Sequence, residues 1–365
     1  MAGVQRTNRH PLQETVMSTE QCTAVTYGID LGKTWFHVVG LDPSGSPVKR
    51  AKLNRSTITR FFVNLPAALV GMEACPGSQW LARKLQALGH RVRIVPAQFV
   101  KPYVKSNKND TIDAAAIAEA ITRPTMRFVQ VKHCEQVDLQ ALHRSRDLLM
   151  STRTRLINQM RAFCLEYGVA MRNGVGAFKA ALPTVLGDEA NDLTPGMREL
   201  LVDLAQELTM LEDRIAQFTR KINAQADASD SARRLTTIPG VGQLTATALV
   251  AAVGDARQFK TARDLSAWLG LTPAQYSTGG KTHLTGISKR GNSYVRRLLI
   301  HGARACSMHL DRTKDRLGSW IEQIEGRLHH NKMVVALANK LARIAWVILT
   351  KPGALYERRA PELAA

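Results

Sequence analysis

The stretch "TAVTYGIDLGKTWFHVVGLDPSGSPVKRAKLN", residues 23–54, decides the fold. It holds three β-rich runs, separated by Gly32 with Lys33 and by the turn "DPSGS", and so predicts a strand meander. Further on, "ALVGMEAC" (68–75) and "RVRIVPA" (91–97) read as short strands, with the amphipathic helix "WLARKLQALG" (80–89) between them. Three strands followed by alternating strand and helix is an α/β order of elements. An alanine-rich helix then opens in "KNDTIDAAAIAEA", residues 108–120.

Four acids stand out against this pattern. Asp30 lies inside the first strand, where an uncompensated charge is costly to bury, and Glu73 repeats the anomaly in "VGMEAC". Asp110 and Asp113 sit three apart at the start of the alanine-rich helix, on one face, where two carboxylates repel unless a cation intervenes. The simpler reading of that pair is capping by Asp110 and an acidic first turn that suits the helix dipole. In an RNase H-like sheet the first and fourth strands are neighbours, and a following helix would gather all four acids. Hard oxygen ligands of this kind suit Mg2+, with Mn2+ as the alternative, and point to phosphodiester cleavage or transfer.

Charge supports a phosphate-bearing partner. The 365 residues carry 50 Lys and Arg against 30 Asp and Glu, a net charge of +20, so nucleic acid is the expected polyanion. From Leu265 to Leu310 there is no acid at all, while Lys281, Lys289, Arg290, Arg296, Arg297 and Arg304 gather around "STGGK" and "SKRGN". The reading with no function attached is a generic basic face. No uninterrupted apolar stretch reaches transmembrane length and no amino-terminal cleavage pattern is evident, so neither a membrane nor a secreted protein is expected. The five cysteines (Cys22, Cys75, Cys134, Cys164, Cys306) have no metal-like spacing and read as reduced packing residues of a cytoplasmic protein.

The chain is expected to divide into a loose leader over 1–22, an α/β domain over 23–133, long helices over 134–232, a mostly helical domain over 233–350 and a tail over 351–365. Residues 137–167 read as a long helix with one cationic side, and the Gly- and Pro-containing 173–196 as a connection. In the next helix Leu201, Leu204, Leu208, Leu211, Ile215, Phe218 and Ile222 alternate steps of three and four, a coiled-coil seam or the buried stripe of a helical bundle. In "LTTIPGVGQLTATALVAAVGD", Gly240 and Gly242 make a helix-hairpin-helix type of turn whose backbone N–H groups would approach a phosphate.

The acids in "GIDLGK", "GMEAC" and "NDTIDAAAIAEA", followed in order by "IPGVGQLTATALVAAVGDARQF", "WLGLTPAQYSTGGK" and "GISKRGNSYVRRLLIHGARA", resemble the DEDD transposases of the insertion-sequence one-ten family. The wording of "STGGK" and "ISKRGN" is closest to the eleven-eleven subgroup, related to Piv-type DNA invertases. The resemblance spans roughly residues 24 to 350. It implies a RuvC-like amino-terminal domain, a coiled coil mediating dimer contacts and a carboxy-terminal transposase domain. It also implies a bacterial, nucleoid-associated recombinase that acts on donor and target DNA under the guidance of a non-coding bridge RNA. Metal would be held by Asp30, Glu73, Asp110 and Asp113, and Ser277 in "QYSTGGK" would be the nucleophile, in a homo-oligomer that assembles from dimer to tetramer. Lys281, Lys289, Arg290, Arg296 and Arg297 would hold phosphates. Read without the family, Ser277 is a serine in a glycine-rich loop near Lys281 that binds phosphate or caps a helix. Two other functions stay open: a RuvC-like structure-selective endonuclease in which activated water attacks, and a nucleic-acid-binding protein without catalysis.

Overall fold

The computed structural model describes residues 24–105 and 109–358; the leader expected over 1–22, Cys22 and the last residues of the tail lie outside them. The chain divides into two compact units, one running up to Val131 and the other beginning at Lys132.

The first unit follows the order β1 Thr26–Leu31, β2 Trp35–Leu41, β3 Pro47–Asn54, α1 Ile58–Val63, β4 Leu69–Glu73, α2 Ser78–Ala87, β5 Arg91–Val95, α3 Ala97–Val100 and α4 Asp110–Ala120. Its sheet has the strand order β3-β2-β1-β4-β5, with the meander antiparallel and β1, β4 and β5 parallel. The first and fourth strands are therefore neighbours, as the sequence pattern required. Alternation along the strands gives the sheet two different faces. Tyr27, Ile29, Phe36, Val38, Val70 and Met72 turn to one side and form a core with Phe62, Leu81 and Leu85.

The other face is built for close approach. A Cβ added to Gly28 would stand 2.0 Å from the carbonyl oxygen of Ala114, and one added to Gly71 would stand 2.5 Å from Ile121 Cγ2. α4 thus rests with its backbone almost on β1, which explains its alanines: Ala114 and Ala118 are the residues small enough to meet a glycine strand, and alanine is also the best helix former. Both ends are fixed. The Asn109 side chain caps the amino terminus by accepting from Thr111 N at 2.9 Å, and Arg93 donates to the carbonyl oxygen of Ile121 at the other end. Asn109 rather than Asp110 is the cap, which leaves both aspartates for other work.

The second unit contains α5 Cys134–Glu166, α6 Val175–Gly187, α7 Pro195–Ala228, α8 Asp230–Leu235, α9 Gln243–Val253, α10 Ala262–Trp268, the hairpin β6 Pro273–Thr278 and β7 Lys281–Ile287, then α11 Ser293–His309, α12 Arg316–Glu325 and α13 His330–Thr350. The connection expected over 173–196 is mostly helix: α6 tolerates Pro183 because Phe178 and Leu182 are buried against Leu156, Ile157 and Met160 of α5. Of the seam residues, Leu201, Leu208, Ile215 and Ile222 are buried within this chain, where α7 packs along α5, so the heptad pattern serves an intramolecular helix pair. α13 is long and apolar enough on average to cross a membrane by length and composition, though Lys340 and Arg343 interrupt it, and Met333, Leu337, Leu341 and Ile348 face the core of the helical unit. The four described cysteines are free thiols; Cys164 and Cys306 are buried packing residues and Cys75 is half-buried, while Cys134 is exposed and does not meet the packing expectation.

His143 on α5 locks three helices together. Its Nε2 lies 3.1 Å from Thr247 Oγ1 on α9 and its Nδ1 3.0 Å from the Tyr294 hydroxyl on α11. The Thr247 hydroxyl donates to Gln243 O at 2.7 Å, so its oxygen accepts from Nε2–H, while Nδ1 accepts from Tyr294. Both nitrogens of a neutral ring are thereby used, and burial first, then Arg146, push the imidazole pKa down from 6.5 to about 4.

Two predictions follow from this architecture. Gly28→Ala should destabilise the protein by about 1–3 kcal/mol in chemical denaturation, by pushing α4 off the sheet, whereas Gly176→Ala, with no atom near its added Cβ, should cost nothing. Between pH 6.5 and 4 the unfolded state takes up a proton at His143 that the folded state refuses, so stability falls as pH drops. The loss is on the order of 3 kcal/mol at full protonation, and His143→Gln should show a correspondingly flatter stability profile over that window.

Candidate metal centre and nucleic-acid interface

The parallel register pairs Ile29 with Met72, so the next residues, Asp30 and Glu73, stand side by side at the carboxyl ends of β1 and β4. Both occupy the face that carries Gly28 and Gly71, the face on which α4 lies. Because α4 approaches so closely, its first turns deliver Asp110 and Asp113 to the same end of the sheet. Asp110 lies within reach of Asp30, and the charges of Asp30 and Asp113 both act on Glu73.

Electrostatics are unfavourable at Glu73 in the protein alone. The Glu73 carboxyl is raised above its usual range, first by burial and then by Asp30 and Asp113. The Cys75 thiol is raised too, by burial, Glu73 and Asp30. A carboxyl pushed towards protonation by its acidic neighbours, as Glu73 is, is what a divalent cation relieves, and an all-oxygen set of this kind fits Mg2+ or Mn2+. The residues present therefore fit the metal.

Sequence reasoning missed one member of the group. His37 on β2 is directly opposite Asp30, and its Nδ1 is 3.3 Å from Asp110 Oδ2. Donor atoms of Asp30, His37 and Asp110 all lie within 4.8 Å of one another. The signal was there to read: "WFHVVGL" places a polar residue at a strand position whose alternate neighbours include Val39 and Leu41, the same kind of anomaly that marked Asp30.

Ser277 belongs to the second unit and lies in β6 rather than in a loop. Gly279 and Gly280, with φ of 55° and 75°, form the two-residue turn between β6 and β7, which demands positive φ at both positions. Thr278 completes the strand. Ser277 pairs with Thr282, while Lys281 pairs with Thr278, so strand alternation puts Lys281 on the opposite face of the hairpin from the serine. The Ser277 hydroxyl is exposed and accepts from Gln275 Nε2 at 2.7 Å.

The basic residues divide into scaffold and surface. Arg296 Nη1 donates to the carbonyl oxygens of Leu269 and Arg290 at 2.9 and 2.7 Å, so this guanidinium ties the "SKRGN" turn to the end of α10. Arg297 pairs with Asp147 on α5 and stacks over Tyr294. Gly240, with φ of 82°, is a packing glycine: an added Cβ would meet Gly302 O at 2.3 Å. Gly242, at the amino-terminal cap of α9, is exposed. Lys281, Lys289 and Arg290 are exposed. Lys289 is the one non-glycine residue with positive φ among the described residues, at 54°, and its N–H bonds Gly270 O at 3.2 Å. A strained lysine held this way presents its charge from a fixed turn.

Comparison with known proteins finds transposases along both units. Residues 27–168 match the model of DEDD transposases of the IS110 type, and residues 232–317 match the model described as Transposase IS116/IS110/IS902 family. A protein of Pseudomonas aeruginosa named "Probable family 20 transposase" is 46% identical over 89% of this chain and 96% of its own length. The transposase for insertion sequence element IS1328 of Yersinia enterocolitica is 43% identical over the same shares, 89% and 96%. The transposase for insertion sequence element IS1111A of Coxiella burnetii is 43% identical over 89% of each chain.

Lys289 offers a direct test of the interface. Lys289→Ala and Lys289→Gly should both weaken DNA binding and reduce the slope of log affinity against log salt by about 0.9. Lys289→Gly should be the more stable of the two by about 1 kcal/mol, since only glycine adopts this backbone freely.

Proposed function

The chain belongs to the IS116/IS110/IS902 family of insertion-sequence transposases, enzymes that cut and rejoin DNA, and from that premise we propose how its residues share the reaction. The observation that carries the reading is the convergence of Asp30, Glu73, Asp110 and Asp113 at one end of the sheet. The 3-2-1-4-5 strand order, with acids on the first and fourth strands, supports a RuvC-like unit.

In this reading the four carboxylates hold Mg2+, with Mn2+ as the alternative. The bound cation supplies positive charge that neutralises phosphate oxygens and favours an ionised nucleophile. Asp30 and Glu73 are fixed by the sheet, and Asp110 and Asp113 by the capped start of α4, so the carboxylates are oriented before DNA arrives. Ser277 Oγ attacks a DNA phosphorus, forming a phosphoserine ester and releasing a DNA hydroxyl. A hydroxyl from another strand end then attacks the ester, which restores the serine and joins the strands. Lys281, Lys289 and Arg290 hold phosphates, while Arg296 and Arg297 shape the surface that bears them.

A bridge RNA that pairs with donor and target DNA selects the sites, supported by the family resemblance and by a net charge of +20. Acids from one protomer and serine from another, in a dimer that assembles to a tetramer, would complete the site. The buried edge of the α7 seam is already covered by the chain's own helices, so protomers would meet through other surfaces.

A hydrolytic reading has one observation in its favour. Lys281 lies on the hairpin face opposite Ser277, so the hairpin itself offers the serine no cationic activator. The two readings separate in one experiment: the protein, with the RNA it retains, is incubated with labelled element-end DNA and Mg2+, denatured, and analysed for DNA attached to protein. The serine reading predicts an adduct that Ser277→Ala and Asp30→Asn each reduce on the order of a thousandfold or more. Cleavage without an adduct in wild type and in Ser277→Ala would establish metal-dependent hydrolysis instead.

A further inference from the structure

We propose that His37 is a fifth, nitrogen ligand of the metal centre and that it makes the site prefer Mn2+ over Mg2+; the inference rests on the reading of the four acids as metal-binding. Four features of the structure carry it. The β1–β2 register sets His37 directly across from Asp30. The same alternation puts it on the α4 side of the sheet with Val39 and Leu41, so it cannot turn away to the apolar core on the other face. Its Nδ1 stands 3.3 Å from Asp110 Oδ2, and donors of Asp30, His37 and Asp110 lie within 4.8 Å of one another, a spacing that one ion can bridge. Its side chain is only 20% exposed, whereas Asp110 is 57% exposed, so the imidazole is the shielded and positionally fixed partner of the pair.

Ligand chemistry gives this placement a consequence. Four carboxylates alone make a hard oxygen site of the sort that Mg2+ occupies while keeping several waters. An imidazole among them changes the balance between the two ions suited to a carboxylate-rich shell, because Mg2+ gains little from nitrogen while Mn2+, a first-row transition ion, gains more. A histidine set opposite the first acid therefore tunes which cation the centre retains, separately from the acids that make it bind a cation at all.

The test is pulsed electron paramagnetic resonance of Mn2+ bound to untagged full-length protein, with competition by Mg2+. Wild type should show nitrogen coupling to the bound Mn2+, and His37→Ala should lose that coupling while still binding. His37→Asp, which supplies oxygen in place of nitrogen, should bind both ions without the coupling and with the Mn2+ to Mg2+ affinity ratio lowered several-fold. Bound Mn2+ that lacks nitrogen coupling in wild type, or coupling that persists in His37→Ala, would overturn the proposal and leave the acidic centre intact. If Mn2+ binding were instead absent from wild type, or present and unchanged by Asp30→Asn, the metal-centre reading would fall together with the role of His37. Circular dichroism of each variant confirms that the fold is retained.

Discussion

The near-contact between α4 and the glycines of the sheet is the constraint on which the rest of the first unit depends. Gly28 gives up a side chain so that the carbonyl of Ala114 can sit against β1, and Gly71 does the same for Ile121. This close seating leaves room for little but alanine on the helix, and the polar start of α4 is carried over the ends of β1 and β4. Asn109 and Arg93 then fix the two ends, so the helix cannot slide along the sheet. The acids are brought together by packing between apolar and small groups and not by their own attraction, since at Glu73 they oppose one another. Such a site is costly to assemble without a cation and is held in readiness by the packing behind it.

The second unit solves a different problem, that of presenting cations without letting them collapse onto the protein. Its turn at 289–291 is anchored from beneath by Arg296 and by the bond from Lys289 N to Gly270 O. One arginine is thus consumed so that a lysine and another arginine can face outwards. The hairpin that carries Ser277 is likewise set by two glycines with positive φ, and nearly all of its residues are exposed. A two-stranded hairpin has little core of its own, so a partner surface that orders it would suit the role proposed for Ser277.

Much of this was legible in the residues. The three runs of 23–54 became β1 to β3, and the acids that broke the apolar pattern are those the structure gathers. What escaped were features that depend on pairing across the chain. His37 acquires meaning only once the register sets it opposite Asp30. Arg296 and Arg297 look like phosphate ligands in a sequence and prove to be tied to Leu269, Arg290 and Asp147, contacts that no local pattern encodes. Gly240 invited a phosphate-binding reading because its motif is shared by such turns, yet its lack of a side chain is used against Gly302. α6 was hidden by Pro183, since local propensity spoke against a helix that tertiary burial of Phe178 and Leu182 sustains.

The central claim is that helix seating on a glycine-lined sheet builds one metal centre from Asp30, Glu73, Asp110 and Asp113. Anomalous scattering from Mn2+ in crystals of the DNA-bound protein tests it most directly. The account predicts a peak enclosed by these four side chains at the ends of β1 and β4. A clear anomalous map with no peak there, and with the acids engaged by lysine or arginine side chains instead, would contradict it.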